Sequence, residues 1–409
     1  NGGTMPGIYK AVKVTDKVWW VGVIDRSLKE FHGYRTPRGT TYNAYLVMAD
    51  RITLIDTVKK PHFSEMMERI SSVVDPSKID YIISNHAEMD HSGCLIEAME
   101  AIKPEKVFAS TVGASVLRDE LHGIGEITPV KDGETLSLGN MNATFIESRM
   151  LHWPDSMMTY LDSEKLLFSQ DAFGMHLGTY KKFDDEIPWD MLEWEAKTYY
   201  ANIILPYSDF VLKFFDKLGG LNLDIKTIAP DHGPIWRSRI PQILELYKKM
   251  AAQKFCERAI VVYDTMWHST EMMAKAICEG LDSQGIETML YPLESSHRTF
   301  IATELIEAGA LIVGSSTLNR NMLPRVADIL TYLKGLSPRN LIGASFGSYG
   351  WSGEAADQIA KMLGEMKVNL VTDPLKVKHV PKSEDLKKCY ELGALLGEKL
   401  REGCKLPQQ

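Results

Sequence analysis

The amino-acid sequence predicts an α/β protein: a layered α/β sandwich followed by a doubly wound parallel sheet. Three observations carry this. The chain has 409 residues, more than one hydrophobic core ordinarily organises. From residue 14 to 70 and again from 106 to 167, short apolar strands recur in two similar stretches accompanied by helical segments. That is the rhythm of two stacked sheets with outer helices. From residue 258 onward, five strand signals alternate with helix signals, as in a parallel sheet covered on both faces.

The elements follow in order. Strands are expected at 18–23, 42–47 and 52–55, where β-branched and aromatic residues cluster, then a helix at 63–70 and a strand at 81–84. The second stretch gives strands at 107–108, 141–146 and 166–168, then a helical run over 191–215 and a late strand at 225–228. A bridging helix is expected from Pro241 to Cys256. The second unit offers strands at 258–263, 287–293, 308–315, 341–345 and 368–371. Its helices are expected at 270–284, 300–307, 326–333, 353–362 and 383–400. The boundary falls near 252–257, giving units 5–254 and 255–405.

Composition narrows the function. Hydrophobic residues make up 44% and charged residues 24% of the chain, the balance of a soluble globular protein. A formal charge of −8 from 54 acidic and 46 basic residues gives no reason to expect nucleic acid or an anionic membrane as partner. No apolar run approaches the roughly 20 residues that span a bilayer. Asn1-Gly2-Gly3-Thr4-Met5 lacks the basic and apolar regions of an export signal, so Met5 is expected as the natural start and the protein as cytoplasmic. The five cysteines, Cys94, Cys256, Cys278, Cys389 and Cys404, are scattered and odd in number. A disulfide framework is not expected. No CxxC pair exists to hold an internal rubredoxin-like or zinc-ribbon site.

Chemistry concentrates in the stretch Asn85-His86-Ala87-Glu88-Met89-Asp90-His91-Ser92-Gly93. His86, Glu88, Asp90 and His91 would spread around a regular helix, but on a loop after a strand all four can turn to one centre. Imidazoles suit zinc and iron, whereas carboxylates favour harder metals. A polar loop ending a strand is the plain alternative. Three further strand ends speak against it: Leu151-His152-Trp153-Pro154-Asp155, Ser169-Gln170-Asp171-Ala172-Phe173-Gly174 and Ala229-Pro230-Asp231-His232-Gly233-Pro234. Ligands gather in loops at one end of the strands in layered α/β folds. Seven candidates, His86, Glu88, Asp90, His91, His152, Asp171 and His232, exceed one four-coordinate metal. They fit two metals sharing a carboxylate.

The order HxExDH, then His, Asp and His at a distance, resembles the metallo-β-lactamase superfamily and, within it, the flavodiiron proteins (A-type flavoproteins). Most hydrolases of that superfamily have His where Glu88 stands, and a carboxylate there hardens the site towards iron. The resemblance covers nearly the whole chain, including Gly39-Thr40-Thr41-Tyr42-Asn43-Ala44-Tyr45-Leu46. It implies a metallo-β-lactamase-like αββα sandwich with one iron on His86, Glu88 and His152. A second iron is implied on Asp90, His91 and His232, with Asp171 bridging the pair.

In the second unit, Thr265-Met266-Trp267-His268-Ser269-Thr270 joins a strand to a helix. It has no GxGxxG, but its hydroxyls stand beside backbone N–H groups at a helix start, which can cradle a terminal phosphate. Read alone, it is an ordinary capped helix. The loops Ser316-Thr317-Leu318-Asn319 and Ser345-Phe346-Gly347-Ser348-Tyr349-Gly350-Trp351 add small residues for close approach and aromatics to flank a planar ring. Together they look like a flavodoxin-like domain binding FMN. Trp267 and His268 depart from the small residue and glycine frequent in flavodoxins, and the choice between Tyr349 and Trp351 as flavin neighbour stays open.

The resemblance also implies that His32 lines the metal pocket, and Tyr199 and Tyr200 are candidates to shield it. A loop histidine and a core aromatic pair are the plainer readings. His176 and His268 are expected as polar surface or outer-sphere residues, and Cys94 is left out of the site. The implied activity is electron transfer through FMN to the iron pair, reducing O2 to water, NO to N2O, or both, with O2 favoured. Rubredoxin or a reduced deazaflavin is the implied donor, and a head-to-tail homodimer or tetramer the implied assembly. A binuclear-zinc hydrolase fused to a flavodoxin-like domain is opposed by Glu88. A pure electron carrier with a relic metal domain is opposed by seven intact ligands.

Overall fold

Val18–Trp20 and Val23–Asp25, expected as one strand, belong to different sheets in the computed structural model. The structure describes residues 7–254 and 256–405; Met5 and Phe255, where the first unit was expected to start and the second to begin, lie outside the described residues. The crossing is at Gly22, where a Cβ would lie 2.3 Å from the Tyr42 carbonyl oxygen, so no larger residue fits there. The expected strand 42–47 breaks in the same place, into Thr40–Tyr42 and Tyr45–Val47. Buried Asn43 ties the break together. It accepts from Trp20 Nε1 at 2.8 Å and donates to the carbonyls of Pro230 (2.7 Å) and Gly233 (3.0 Å).

Seven strands form the first sheet, in the order Val12–Lys13, Val18–Trp20, Tyr45–Val47, Thr53–Ile55, Tyr81–Ser84, Lys106–Ser110 and Thr128–Val130. Five form the second: Thr135–Ser137, Asn142–Glu147, Met157–Leu161, Leu166–Gln170 and Thr227–Pro230. Alternation decides what meets what. Tyr45, Val47, Ile55 and Ile83 pack with Phe145, Met157, Leu166 and Phe168 of the other sheet. Leu46, Leu54 and Ile82, one residue out of phase, pack with Met66, Ile70, Leu95 and Leu117 of the helices Phe63–Ser71, Leu95–Ile102 and Thr111–Glu120. The result is an αββα sandwich. Met157–Leu161 had no period-two signal because all five of its residues are buried.

The helical run expected over 191–215 is interrupted. An α-helix over Trp189–Tyr199 passes into π-helical Tyr200–Ile204 and 3-10 Leu205–Tyr207 before Ser208–Leu221 resumes. Pro206 accounts for the break, since it lacks an N–H and its ring crowds the carbonyl four residues back. By internal contacts the chain divides into two units: one runs through Tyr199 and resumes over Asp209–Lys248, and the other takes Tyr200–Ser208 and continues from Lys249.

The second unit holds a parallel sheet in the order Glu287–Pro292, Arg258–Asp264, Ala310–Ser315, Ile342–Tyr349. The last of these pairs with both Asn369–Leu370 and Leu375–Lys378. A single strand was expected there at 368–371; Pro374, which cannot donate to a ladder, separates two short ones. Strand order reverses beside Arg258–Asp264, the place where ligands enter doubly wound sheets. No helix among the described residues is long and apolar enough to cross a membrane. Cys94, Cys256, Cys278 and Cys389 are free thiols.

Two glycines set how closely helices Ser269–Asp282 and Ser383–Lys405 approach. A Cβ on Gly280 would lie 2.0 Å from the Tyr390 carbonyl oxygen, and one on Gly393 would lie 2.0 Å from that of Ile277. Backbone cannot yield as a flexible side chain can. Gly393→Ala should therefore destabilise the second unit by about 1–3 kcal/mol, read as a lower unfolding midpoint with the metal groups unaffected. An unchanged midpoint would show that the helices have room to part.

Candidate functional site

The strand Tyr81–Ser84 delivers Asn85–Glu88 and a single helical turn, Met89–Ser92. Local hydrogen bonds fix this loop. Asp56 accepts from Asn85 N (2.6 Å) and Nδ2 (2.8 Å), Ser92 Oγ donates to the Ala87 carbonyl (2.6 Å), and Thr57 Oγ1 donates to that of His91 (2.6 Å). His152 arrives on the loop between Asn142–Glu147 and Met157–Leu161. The parallel strands Leu166–Gln170 and Thr227–Pro230, with Gln170 opposite Pro230, release Asp171 and His232 side by side.

The structure brings all seven predicted metal residues together, in two buried groups. His86, Glu88, His152 and Asp171 form one, and Asp90, His91 and His232 the other, with donor atoms in each within 4.8 Å of one another. Asp171 touches both. Its Oδ2 lies 3.3 Å from His86 Nε2 and 3.2 Å from His152 Nε2, while its Oδ1 lies 3.2 Å from His91 Nε2 and 3.5 Å from His232 Nε2. Glu88 Oε2 stands 3.1 Å from His152 Nε2, and Asp90 reaches His91 at 3.3 Å and His232 at 3.2 Å. Every one of these imidazoles turns Nε2 inward. Behind them, His86 Nδ1 faces Asp155 Oδ2 (3.1 Å), His232 Nδ1 donates to the Thr41 carbonyl (2.6 Å), and His91 Nδ1 faces Asp231 Oδ2 (3.5 Å).

Burial opposes charge throughout this cluster, and the close opposite charges overcome it. On His91, burial disfavours the cation, but Asp90 and Asp171 hold its pKa well above the ordinary imidazole value. Burial likewise pushes Asp171 upward, yet His91 and His152 hold it far below the carboxylate range. Hydrogen bonding leaves a residue of unmet demand. Both oxygens of Asp90, both ring nitrogens of His91 and Asp171 Oδ1 are buried without a hydrogen-bond partner. Such atoms are costly to bury unless something satisfies them. A cation among Asp90, His91 and His232 answers that demand, and the inward convergence of His86, Glu88, His152 and Asp171 donor atoms fits a second one. Four imidazoles and three carboxylates with no thiolate suit iron better than a soft-metal site. Cys94 belongs to neither group of converging donor atoms, and burial pushes its thiol up to about 11.

The other predicted pocket residues separate. His32, at φ +46°, places Nε2 2.6 Å from Glu88 Oε1; that hydrogen bond raises its pKa against the effect of burial. Tyr199 is buried with its ring 6.1 Å from that of His232. Tyr200 points its hydroxyl at Ser208 Oγ, 3.1 Å away, inside the second unit. His176 is buried, not surface. Its Nδ1 meets Thr40 Oγ1 at 2.8 Å and its ring lies 4.6 Å from that of His232. Burial, reinforced by His232, pushes its pKa well down. Its place five residues after Asp171, in the same loop, was the available signal.

In the second unit the three predicted loops line a cleft of about 760 Å³. Met266, Trp267, Ser269, Ser316, Thr317, Leu318, Asn319, Ser348, Tyr349, Gly350 and Trp351 form its wall. Thr270 lies beneath, its hydroxyl 3.0 Å from Ser316 Oγ and 2.8 Å from Ser348 Oγ, so one residue ties the three loops together. Thr265 Oγ1 and Ser345 Oγ are buried without a partner. Gly347 permits close approach to the Ser315 carbonyl, 2.2 Å from where its Cβ would lie. Phe346 differs from expectation, being fully buried in the core and absent from the cleft wall. His268 is also off the wall, in the left-handed region at φ +64°. That conformation costs a non-glycine residue about 1–2 kcal/mol, and its Nδ1 contact with Glu271 Oε2 at 2.7 Å offsets part of it.

Arg320, Ser352, His379 and Val380 also line the cleft and were missed. His379 and Val380 follow the unpredicted strand Leu375–Lys378, so the rule that ligands gather at strand ends would have found them once that strand was placed. A wall of hydroxyls, small residues and two indoles fits a phosphorylated flavin.

The geometry agrees with the comparisons. A family model described as "ODP family beta lactamase" matches residues 40–233, and the flavodoxin model matches residues 261–393. The nitric oxide reductase of Moorella thermoacetica is 42% identical over 96% of this chain and 99% of its own length. The solved rubredoxin oxygen:oxidoreductase of Desulfovibrio gigas superposes with a TM-score of 0.95 at 41% identity, covering 97% of this chain and all of that one. The flavodiiron protein of Giardia intestinalis gives 0.93 at 32% identity, covering 98% and 99%. With both sets of loops in place, the chain belongs to the flavodiiron proteins.

Proposed function

We propose that this flavodiiron protein reduces O2 to water as its main reaction and NO to N2O as its second. The observation that carries the reading is Asp171, whose two oxygens each face one of the two ligand groups. When bound, FMN supplies stepwise electron acceptance and release, and the iron pair supplies two-electron delivery to a diatomic gas. His86, Glu88 and His152 would hold one iron and Asp90, His91 and His232 the other, with Asp171 shared between the two. His32 orients Glu88 through their 2.6 Å contact, and Tyr199 with His176 keeps water from the His232 side of the pocket. In the second unit, Thr265 to Thr270 hold the phosphate, and the Ser316 and Ser345 loops hold the ring. Residues 5–254 and 255–405 form the corresponding domains.

O2 to two waters takes four electrons and four protons, and two NO to N2O and water takes two of each. The donor we propose for these electrons is rubredoxin or a reduced deazaflavin, and the place the cytoplasm. The minimum active unit is a head-to-tail homodimer, which can pair into a tetramer. Support comes from the cleft rim, where Trp267 is 86%, Trp351 92% and Val380 64% exposed. A contiguous apolar rim of this kind marks a surface that another molecule covers, and a two-fold pair is the commonest way to cover it.

Purified holoprotein should contain about two irons and about one FMN per chain. Steady-state rates for O2 and NO, each with one saturating reduced donor, test substrate order. A higher kcat/KM for NO reverses it. Zinc in place of iron, with neither gas reduced after iron reconstitution, would remove the proposal altogether.

A further inference from the structure

Two of the loops that bring metal ligands also bring an acid with no assigned work. The loop of His152 carries Asp155, and the loop of His232 carries Asp231. Both acids are fully buried. Asp155 does not back its neighbour His152. Its Oδ2 accepts from His86 Nδ1 at 3.1 Å and from Ala87 N at 2.7 Å. Asp231 does not back His232 either, whose Nδ1 donates to the Thr41 carbonyl. It faces His91 Nδ1 at 3.5 Å. His91 Nδ1 and both Asp231 oxygens have no hydrogen bond elsewhere, so this ion-pair contact is the polar relation they share.

We infer that each of these loops builds its metal subsite twice over, supplying one imidazole ligand directly and positioning the other imidazole of the same subsite through a buried carboxylate. Asp155 serves His86 in the group that holds His152, and Asp231 serves His91 in the group that holds His232. The inference rests on the reading of the two groups as iron subsites. A carboxylate on Nδ1 fixes the tautomer with Nε2 free to ligate, orients the ring and makes it a stronger donor. A neutral carbonyl, as behind His232, fixes the tautomer without adding charge. Each subsite therefore has one imidazole backed by a buried carboxyl group. Asp155 and Asp231 are positioning residues, acting on the metals only through His86 and His91.

Asparagine separates charge from shape. In Asp155→Asn the amide oxygen can still accept from His86 and Ala87, and the backbone carbonyl that accepts from Ser110 Oγ at 2.7 Å is untouched. In Asp231→Asn no side-chain hydrogen bond is lost, and an unchanged FMN content and unfolding midpoint are the check that each variant folds. The experiment loads the holoprotein with 57Fe and follows iron retention against a chelator, Mössbauer spectra and FMN content. Each variant should keep its FMN and hold iron ~10-fold to ~100-fold more weakly than the parent. Asp155→Asn should shift the Mössbauer signal of one iron, and Asp231→Asn that of the other. Iron retention within about twofold of the parent in both variants, or a shift of the same iron signal in both, overturns the inference. A parent chain that takes up no iron pair would instead overturn the reading of the two groups, which keeps the two failures apart.

Discussion

Asp171→Ala empties both metal groups while the flavin cleft keeps its FMN. Among the described residues, Asp171 is the one whose carboxylate approaches imidazoles of both groups, with four Nε2 contacts between 3.2 and 3.5 Å. Its removal leaves three donors on each side and deletes one of three carboxylates that offset the cations. The lost contribution is larger than that of an outer-sphere partner, whose mutation typically weakens metal binding by 10–100-fold. Iron retention should therefore fall by more than ~100-fold, and magnetic coupling between the irons should vanish. The cleft is lined wholly by residues 266–380 of the second unit, so FMN absorbance should be unchanged. A normal coupled diiron spectrum in this variant would mean that the bridge is another group.

The site was legible because its ligands sit at chain positions that sequence can mark. Each lies just after an apolar run, where a strand must end and the chain must turn. His86, His152, Asp171 and His232 needed only that rule to be gathered. The partition into two groups was not legible from spacing. It depends on which way each ring and carboxylate turns, and that is decided by Asp155, Asp231 and the Thr41 carbonyl behind them. Whether His176 lay at the surface or in the outer sphere was not legible, for the opposite reason. A neutral imidazole whose burial is balanced by Thr40 and neighbouring rings looks in sequence like any polar loop residue.

Strand boundaries failed where polarity and periodicity disagree. Residues 18–23 and 42–47 are apolar enough to read as single strands, but Gly22 and Asn43 carry the chain between sheets. Neither residue is unusual in composition; each matters through a contact with distant backbone. In the second unit, the phosphate loop was placed by its hydroxyls. The Leu375–Lys378 strand escaped because half of its residues are exposed, and with it went His379 and Val380 on the cleft wall.

The second large effect concerns assembly. A chain carrying Ser269→Ala and Thr270→Ala should lose FMN, because Thr270 Oγ1 is the hub joining Ser316 and Ser348 beneath the cleft. A chain carrying His86→Ala and His232→Ala should lose iron, one imidazole being removed from each group. Each parent should be inactive, since one lacks the route for electrons and the other the place where they are used. All residues of each centre come from a single unit of the chain, so a damaged centre in one chain leaves the other centre of that chain whole. In a head-to-tail homodimer, the intact flavin of the iron-free chain meets the intact irons of the FMN-free chain. Mixing the two under subunit exchange should then restore one working site per heterodimer, about half the activity of the parent dimer. Gas consumption by isolated heterodimers, separated by two different affinity tags, is the measurement. Heterodimers that form and stay inactive would show that electrons pass within one chain, and a fully active monomer would show that no second copy is needed.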